Sequence, residues 1–192
     1  FRVVFTWLHF LKGIIDGNVL MKRVNESYGL IADAKISNLF VRNIPVGNLT
    51  VNAENATRER FNVDVNLSGA ENNLTAKGHY IPKGGANAIN IKAVIESLSM
   101  KTLEAFSLGE ITEAAGMISG DFLIAGNTDS PEITGQMVFN NAFLKPAFLN
   151  NRIELKKETI QLKNDGIYFN NFTLLDAKQN TAILNGAVKM KK

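Results

Sequence analysis

The sequence predicts an all-β protein: an elongated, curled, mostly antiparallel sheet with one short helix near residues 99–108. Short runs of alternating apolar and polar residues recur along most of the chain, as expected for strands with one solvated face. Turn-forming residues separate these runs, and asparagine is the most frequent of them, with 23 copies. The exception to the alternation is the stretch 99–108, which has helical spacing.

Composition narrows the possible functions. The chain has 192 residues, of which 45% are hydrophobic and 20% charged, which is ordinary for a folded protein. A net charge of +3 with scattered basic residues argues against nucleic acid as a partner. The absence of cysteine excludes disulfides, thiolate metal sites and a cysteine nucleophile. Because the chain begins with Phe1 rather than methionine, we expect it to be a processed product or an excised part of a longer protein.

The first twenty residues allow two interpretations. Residues 1–11 fit a strand, but Val4, Leu8, Leu11 and Ile15 also fit a helical stripe, and the strand is favoured. Charged residues interrupt this stretch too often for a membrane-spanning helix. The sequence Asp16-Gly17-Asn18 predicts a turn before a strand over Val19–Val24.

Alternation then predicts a series of strands, with Pro45 expected to break the chain. The clearest run is Arg60–Ser68, in which every second residue is apolar. The predicted strand segments of this half are Leu30–Ala34, Lys35–Arg42, Gly47–Ala53, Arg60–Ser68, Leu74–Tyr80 and Ile89–Ile95.

The helical stretch separates two halves. Leu103 and Phe106 lie three residues apart, with Ser99 placed to cap the start of a helix and Gly109 placed to end it. We expect this helix to cover an open end or an edge of the sheet. It divides the chain into an N-terminal sheet over 1–98, a divider over 99–109 and a C-terminal sheet over 110–192.

The C-terminal half begins with a predicted hairpin around the turn-forming cluster Asn127–Pro131. Short apolar runs continue beyond it without a helical interruption. Gly120, Gly135 and Gly186 fall inside these runs, and glycine within a strand marks a bulge, a bend or a close approach. We therefore expect the sheet to curl at these three residues.

Sites for catalysis or metal binding are not indicated. His9 and His79 are the two histidines, and neither belongs to a metal-binding or catalytic spacing. The predicted catalytic residues, metal ligands and cofactors are accordingly none.

What remains is an apolar stripe in the C-terminal half. It comprises Phe122, Ile124, Ile133, Met137, Phe139, Ile160, Leu162, Ile167, Phe169, Phe172, Leu174, Leu184 and Val188. From the pattern alone, the stripe fits the core of two sheets packed face to face, a structural or adhesive sandwich without a ligand. It also fits an open trough that holds acyl chains.

A set of strand-and-turn motifs carries a family resemblance. These motifs are Gly116-x-x-Ser-Gly-x-x-x-Ile-x-Gly126, Ser130-Pro-Glu-Ile-Thr-Gly135, Gly166-Ile-Tyr-Phe169, Thr173-Leu-Leu-Asp176 and Ala182-Ile-Leu-Asn-Gly186. Together they resemble the C-terminal domain of the TamB family of translocation and assembly module proteins (DUF490, AsmA-like superfamily), most closely its Bacteroidota members. The resemblance covers roughly Leu98–Met190 and is weaker from Lys12 to Ile95.

The resemblance implies an extended curled sheet with a hydrophobic groove, the trough interpretation of the stripe. It further implies phospholipid acyl chains and an Omp85-type outer-membrane barrel, TamA-like, as partners. The parent protein would be periplasmic, anchored in the inner membrane and reaching the outer membrane. Its function would be phospholipid transport, outer-membrane protein assembly, or both, without catalysis.

Overall fold

The described residues form one continuous β-sheet with a single helix packed on it. The computed structural model describes residues 2–5, 10–24, 27–55, 60–81, 88–127, 129–149 and 151–189. The strands are β1 Arg2–Phe5, β2 Leu11–Val24, β3 Ser27–Val41, β4 Ile44–Asn55, β5 Phe61–Gly69, β6 Asn72–Tyr80, β7 Ile89–Ser99, β8 Ile111–Gly126, β9 Pro131–Pro146, β10 Ile153–Lys163, β11 Gly166–Asp176 and β12 Thr181–Lys189. The helix, α1 Met100–Phe106, lies between β7 and β8.

The strand order in space equals the order in sequence. All twelve strands form one sheet in which each pairs antiparallel with the next. Within the described residues β1 and β12 do not pair with each other, so the sheet is open. The predicted all-β class, the antiparallel arrangement and the short helix are confirmed. The sheet continues through β7 and β8, so the division into two halves stays a prediction from sequence.

The turn predicted in the N-terminal region was wrong. Asp16-Gly17-Asn18 is not a turn, because β2 runs through it and pairs with Lys35, Ala34 and Asp33 of β3. Pairing along a long partner strand overrides the local turn preference. Of the ambiguous first residues, Arg2–Phe5 form a strand, whereas residue 1 and residues 6–9 lie outside the described part.

Pro45 does not break the chain either. It is the second residue of β4, opposite Phe40, directly after a turn at Arg42 and Asn43. Both turn residues have positive φ, 50° and 65°. Proline is tolerated near the start of a strand, where a missing N–H costs least.

A row of register irregularities crosses most of the sheet. It interrupts pairing between Lys12 and Ile14, Ile36 and Leu39, Asn73 and Leu74, Ile95 and Leu98, Ala115 and Met117, and Phe169 and Phe172. A β-bulge bends its strand and increases the local twist. Apart from the irregularity in β11, which lies in the middle of its strand, these irregularities lie near the end of the sheet that carries α1, so the strands bend there.

The predicted role of two glycines is therefore corrected. Pairing is regular where Gly120 faces Met137 and where Phe122 faces Gly135. A register shift between β8 and β9 lies instead between Ala115 and Met117, beside Gly116, whose φ is +95°. Gly120 and Gly135 mark close backbone approach, since a Cβ on Gly135 would lie 2.1 Å from the Asp121 carbonyl oxygen. Gly186 does adjoin a bulge, as expected.

Helix α1 shows that the sheet curls. The helix contacts β3 and β4 on one side and β7, β8 and β9 on the other. In a flat sheet, β3 and β9 would lie about 29 Å apart, since strands are spaced by about 4.8 Å. A seven-residue helix is only about 10 Å long. The sheet must curve around α1 for both contacts to form.

The helix covers the interior of the sheet rather than an edge. Its contacts are with β3, β4, β7, β8 and β9, so it does not cover an edge strand, and the expected cover of an open end stays a prediction. Ser99 precedes it, but the Ser99 side chain makes no capping hydrogen bond. The helix ends at Phe106, followed by Leu108 and Gly109 at φ 54° and 99°.

The buried core surrounds this helix. Met100 is fully buried in a cluster with Ile118, Phe139, Leu155 and Phe172. Ala105 belongs to a second cluster, with Leu39, Val41 and Val46. The curled sheet is thus filled by protein near α1.

Candidate apolar groove

The register places the predicted stripe on one face of the sheet. Side chains of directly paired residues point to the same face. In β8, β9 and β10, Ile124 pairs with Ile133, and Met137 pairs with Ile160. In β10, β11 and β12, Leu162 pairs with Ile167, which pairs with Val188.

The remaining predicted residues join the same face through their neighbours. Phe122 pairs with Gly135, Phe169 with Ile160, Phe172 with Leu184, and Leu174 with Ala182; Phe139 lies two residues from Met137. Helix α1 packs on this same apolar face. Ile118 and Phe139 pair with each other and belong to the buried cluster that contains Met100 of the helix.

Burial along this apolar face changes from centre to edge. Phe139 and Phe172 are 8% and 5% exposed, so protein atoms already cover them. Ile133, Leu184 and Val188 are 37%, 40% and 59% exposed. The other predicted residues are half-buried. The accessible part of the face therefore lies away from the helix and towards β12.

Three aromatic rings mark the boundary between the covered and the accessible parts. Phe172 packs edge-on against Phe139, with centroids 6.0 Å apart, and against Phe169, with centroids 5.3 Å apart. Such edge-to-face pairs favour a fixed arrangement of rings. We name the surface formed by Ile133, Leu162, Ile167, Phe169, Leu184 and Val188 the apolar groove.

A buried asparagine holds α1 in place. Asn72, 3% exposed, lies at the start of β6. Its Nδ2 donates to the Val46 carbonyl oxygen and to Thr102 Oγ1, both at 2.8 Å. Its Oδ1 accepts from the Ser99 backbone N–H, also at 2.8 Å. One side chain thus links β4, β7 and the helix.

Glu158 is a charged residue on the apolar face that the sequence analysis missed. It pairs with Phe139 and lies on the same face as Ile160 and Leu162, which are two and four residues further along β10. Its carboxylate accepts a hydrogen bond of 2.8 Å from the Thr173 backbone N–H. The spacing Glu158, Ile160, Leu162 could have revealed it, because every second residue of a strand shares a face.

The apolar face also extends into the N-terminal half, beyond the predicted stripe. Ile91 pairs with Ile124, and Ala93 pairs with Phe122. Further along, Ala93 pairs with Ala76, and Ala76 with Val65. The alternation of Arg60–Ser68 was recognised in the sequence, but its register with the C-terminal strands was not.

The opposite face of the sheet carries charged and polar side chains that pair with one another. On β5 and β6, Lys77 pairs with Asp64, with Nζ 2.8 Å from Oδ2. At the β12 edge, Tyr168 donates to Asp165, and Lys189 donates to both. Lys163 lies 4.3 Å from the centre of the Tyr168 ring.

The described residues contain neither a cluster of metal ligands nor a membrane-spanning helix. No group of three or more His, Cys, Asp or Glu side chains in this part of the chain is arranged to hold a metal ion. None of the described helices has the length and apolar character needed to cross a bilayer.

The apolar groove is thus a half-open surface between α1 and the β12 edge. Comparisons of the chain with protein-family models, curated proteins and solved structures gave no match.

Proposed function

We propose that the apolar groove binds phospholipid acyl chains and that the chain is a segment of a TamB-like protein. In this role it helps to move phospholipid, or to assemble outer-membrane proteins, between the inner and outer membranes. The observation that supports the proposal is the incomplete cover of one apolar face. Leu184 and Val188 are 40% and 59% exposed although they continue the face that buries Phe172.

Acyl chains suit this surface physically. Burial of apolar area contributes about 25 cal/mol per Å² and needs no directional partner. The groove side chains are aliphatic or aromatic, and Glu158 beside them is already hydrogen-bonded to Thr173. A binding protein of this kind needs no catalytic residue.

A closed sandwich without a ligand is the competing function. It would require a second sheet over the apolar face, and the described strands all belong to one sheet. The buried pair Phe139 and Phe172 is compatible with both functions.

Site-specific photo-crosslinking in cells tests the proposal. Val188 and Ile183 lie on the same strand at 59% and 61% exposure but on opposite faces. Leu184 and Leu123 form a second matched pair, at 40% and 39%. A photo-reactive residue at 188 or 184 should capture phospholipid, and at 183 or 123 it should not. Equal capture on both faces, or none at 188 and 184, would contradict the proposal.

A charge substitution complements the crosslinks. Val188→Asp should leave the fold intact, because the side chain is exposed, and should abolish lipid capture at position 184. Ile183→Asp is the control and should retain capture. Phe139→Asp is unsuitable, because a carboxylate buried beside Phe172 would destabilise the fold under either function.

The partner and the location belong to the same proposal. We propose that the parent protein is periplasmic, anchored in the inner membrane, and that it meets an Omp85-type, TamA-like barrel at the outer membrane. Strand β12 supports this idea, because it ends the described sheet and every residue in it is exposed. An edge strand can accept a further strand through backbone hydrogen bonds.

A further inference from the structure

A second apolar surface lies at the end of the sheet that carries α1, outside the apolar groove. It consists of five large side chains at three connections: Phe10 before β2, Phe106 at the end of α1 with Leu108 after it, and Phe148 and Leu149 between β9 and β10. Leu108 and Phe148 are 79% and 80% exposed. We name these five residues the apolar tip.

Two backbone hydrogen bonds and one side-chain contact bring the three connections together. The Arg42 N–H donates to the Phe10 carbonyl oxygen at 2.7 Å. Arg42 Nη1 lies 3.4 Å from the position a Cβ would take on Gly109, the neighbour of Leu108. The Ala147 N–H donates to the Glu110 carbonyl oxygen at 2.8 Å. The side chains therefore project from one continuous surface.

The shape of the tip limits what can cover it. Phe148 occupies a tight turn closed by a hydrogen bond of 3.1 Å from the Leu149 N–H to the Pro146 carbonyl oxygen. Side chains at such positions project outward, whereas an amphipathic helix needs a groove to dock into. Projecting Phe and Leu side chains suit a fluid apolar phase, as at a bilayer interface.

Charge favours the surface of an anionic bilayer. The segments that form and flank the tip, residues 10–12, 42–43, 106–113 and 145–152, carry four cations, Lys12, Arg42, Lys145 and Arg152, and two carboxylates, Glu110 and Glu113. Lys145 and Arg152 both contact Glu113, at 3.4 and 3.6 Å. Lys12 donates to the neutral Asn43 side chain. Long basic side chains can reach headgroup phosphates while their stems cover apolar surface.

We propose that the apolar tip inserts into the surface of a bilayer containing anionic phospholipid. The tip would hold this end of the sheet at the membrane, and the basic residues around it would bind the phosphates. This binding is separate from acyl-chain binding in the apolar groove and does not depend on it.

Single-cysteine labelling of the full chain tests the insertion directly, because the sequence has no native cysteine. An environment-sensitive fluorophore is attached at Phe148→Cys, and at Ile183→Cys as the exposed apolar control. With vesicles of phosphatidylethanolamine and phosphatidylglycerol, emission from position 148 should shift to shorter wavelength, and emission from position 183 should not. No shift at 148, or equal shifts at both positions, would overturn the proposal.

Vesicle flotation gives the quantitative measurement. The double variant Leu108→Ser, Phe148→Ser should lose at least about tenfold in vesicle affinity, because two large apolar side chains no longer enter the bilayer. Ile183→Ser should retain the affinity. The double variant Lys12→Gln, Arg42→Gln should weaken binding to the anionic vesicles and leave binding to phosphatidylcholine vesicles unchanged. Unaltered flotation of the serine variant would refute tip insertion.

The crosslinking experiment separates this proposal from the groove function. The serine variant should still capture phospholipid through position 188 if the groove binds lipid. Loss of phospholipid crosslinks at position 188 with intact vesicle flotation would refute only acyl-chain binding in the groove. Intact crosslinks with loss of flotation would refute only insertion of the tip.

Discussion

Asn38, Asn141 and Asn171 adopt left-handed backbone inside strands, with φ of 52°, 45° and 47°. Asparagine tolerates this conformation better than other residues with a side chain, apart from aspartate. The Asn38 and Asn171 N–H groups donate to the side chains of Asn48 and Asn185. Part of the high asparagine content therefore serves bulges within strands, in addition to the turns where asparagine was expected.

Asn72 is the residue whose loss should affect the fold most directly. Asn72→Ala removes the hydrogen bonds to Val46, Ser99 and Thr102 in a buried site. Buried groups left without partners cost about 1–3 kcal/mol each. We expect urea denaturation to show a loss of at least about 2 kcal/mol in the free energy of unfolding.

The neighbouring asparagine provides the control for this substitution. Asn73 is exposed and bonds to the exposed carboxylate of Glu96. Asn73→Ala should change the free energy of unfolding by less than about 0.5 kcal/mol. Equal effects at positions 72 and 73 would show that Asn72 does not hold the helix.

At the scale of elements, β9 depends on glycine for its approach to β8. A side chain on Gly135 would collide with the Asp121 carbonyl oxygen and the Phe122 Cα, at 2.1 and 2.9 Å. Its φ of 150° is also unfavourable for other residues. Gly135→Val should therefore lower the free energy of unfolding by more than about 1 kcal/mol, despite the higher strand propensity of valine.

Thr134→Val is the matched control on the same strand. Thr134 is already β-branched, and its side chain points to the opposite face. Its replacement should change thermal stability only slightly. A Gly135→Val protein as stable as the Thr134→Val protein would disprove the close-approach explanation.

At the end of β12, Lys189 forms an ion pair with Asp165. Hydrogen bonds from Lys189 and then from Tyr168 hold the pKa of Asp165 below its usual value. The hydrogen bond to Asp165 raises the pKa of Lys189. Because the folded pKa of Asp165 is depressed, its contribution to stability is present above the unfolded pKa and disappears as pH falls through the folded pKa. The Lys189 contribution is present below its unfolded pKa and disappears as pH rises through its folded pKa.

Side-chain NMR titration checks this arrangement. Lys189→Met should raise the pKa of Asp165 towards its usual value, because the hydrogen bond from Lys189 is removed. Lys163→Met should shift it much less, since Lys163 contacts the Tyr168 ring instead. An unchanged Asp165 pKa in the Lys189→Met protein would show that the pair does not form in solution.

At the scale of the whole molecule, the described sheet has two edges, β1 and β12. Unpaired N–H and C=O groups at such edges invite a further strand. We expect Ala187→Pro, in the middle of β12, to abolish association with an Omp85-type barrel, because proline disrupts the backbone pairing of this strand. Helix α1 and strands β1 to β7 should stay folded, since β12 pairs only with β11 within the described residues.

Co-purification of the barrel from cells measures this association. Val4→Pro, on the opposite edge strand β1, serves as the control and should leave the association unchanged. Retention of the barrel by the Ala187→Pro protein would rule out pairing through β12.

The sequence by itself determined the strand-rich class, most strand positions and the common face of the stripe. These properties follow from the alternation of apolar and polar residues, which is a local feature of the sequence of each strand. The hairpin around Asn127–Pro131 and the helix near 99–108 were also predicted from local signals, namely turn-forming residues and helical spacing. The local turn signal at Asp16–Asn18 failed because pairing with β3 outweighs it.

The tertiary structure alone decided where the sheet bends and which part of the stripe stays accessible. Bulges depend on the register between strands, and register joins residues far apart in sequence. Phe139 and Val188 have the same alternating signature, yet one is 8% and the other 59% exposed. The difference arises because the sheet curls around α1 beside Phe139, whereas β12 has no neighbour beyond it in the described sheet.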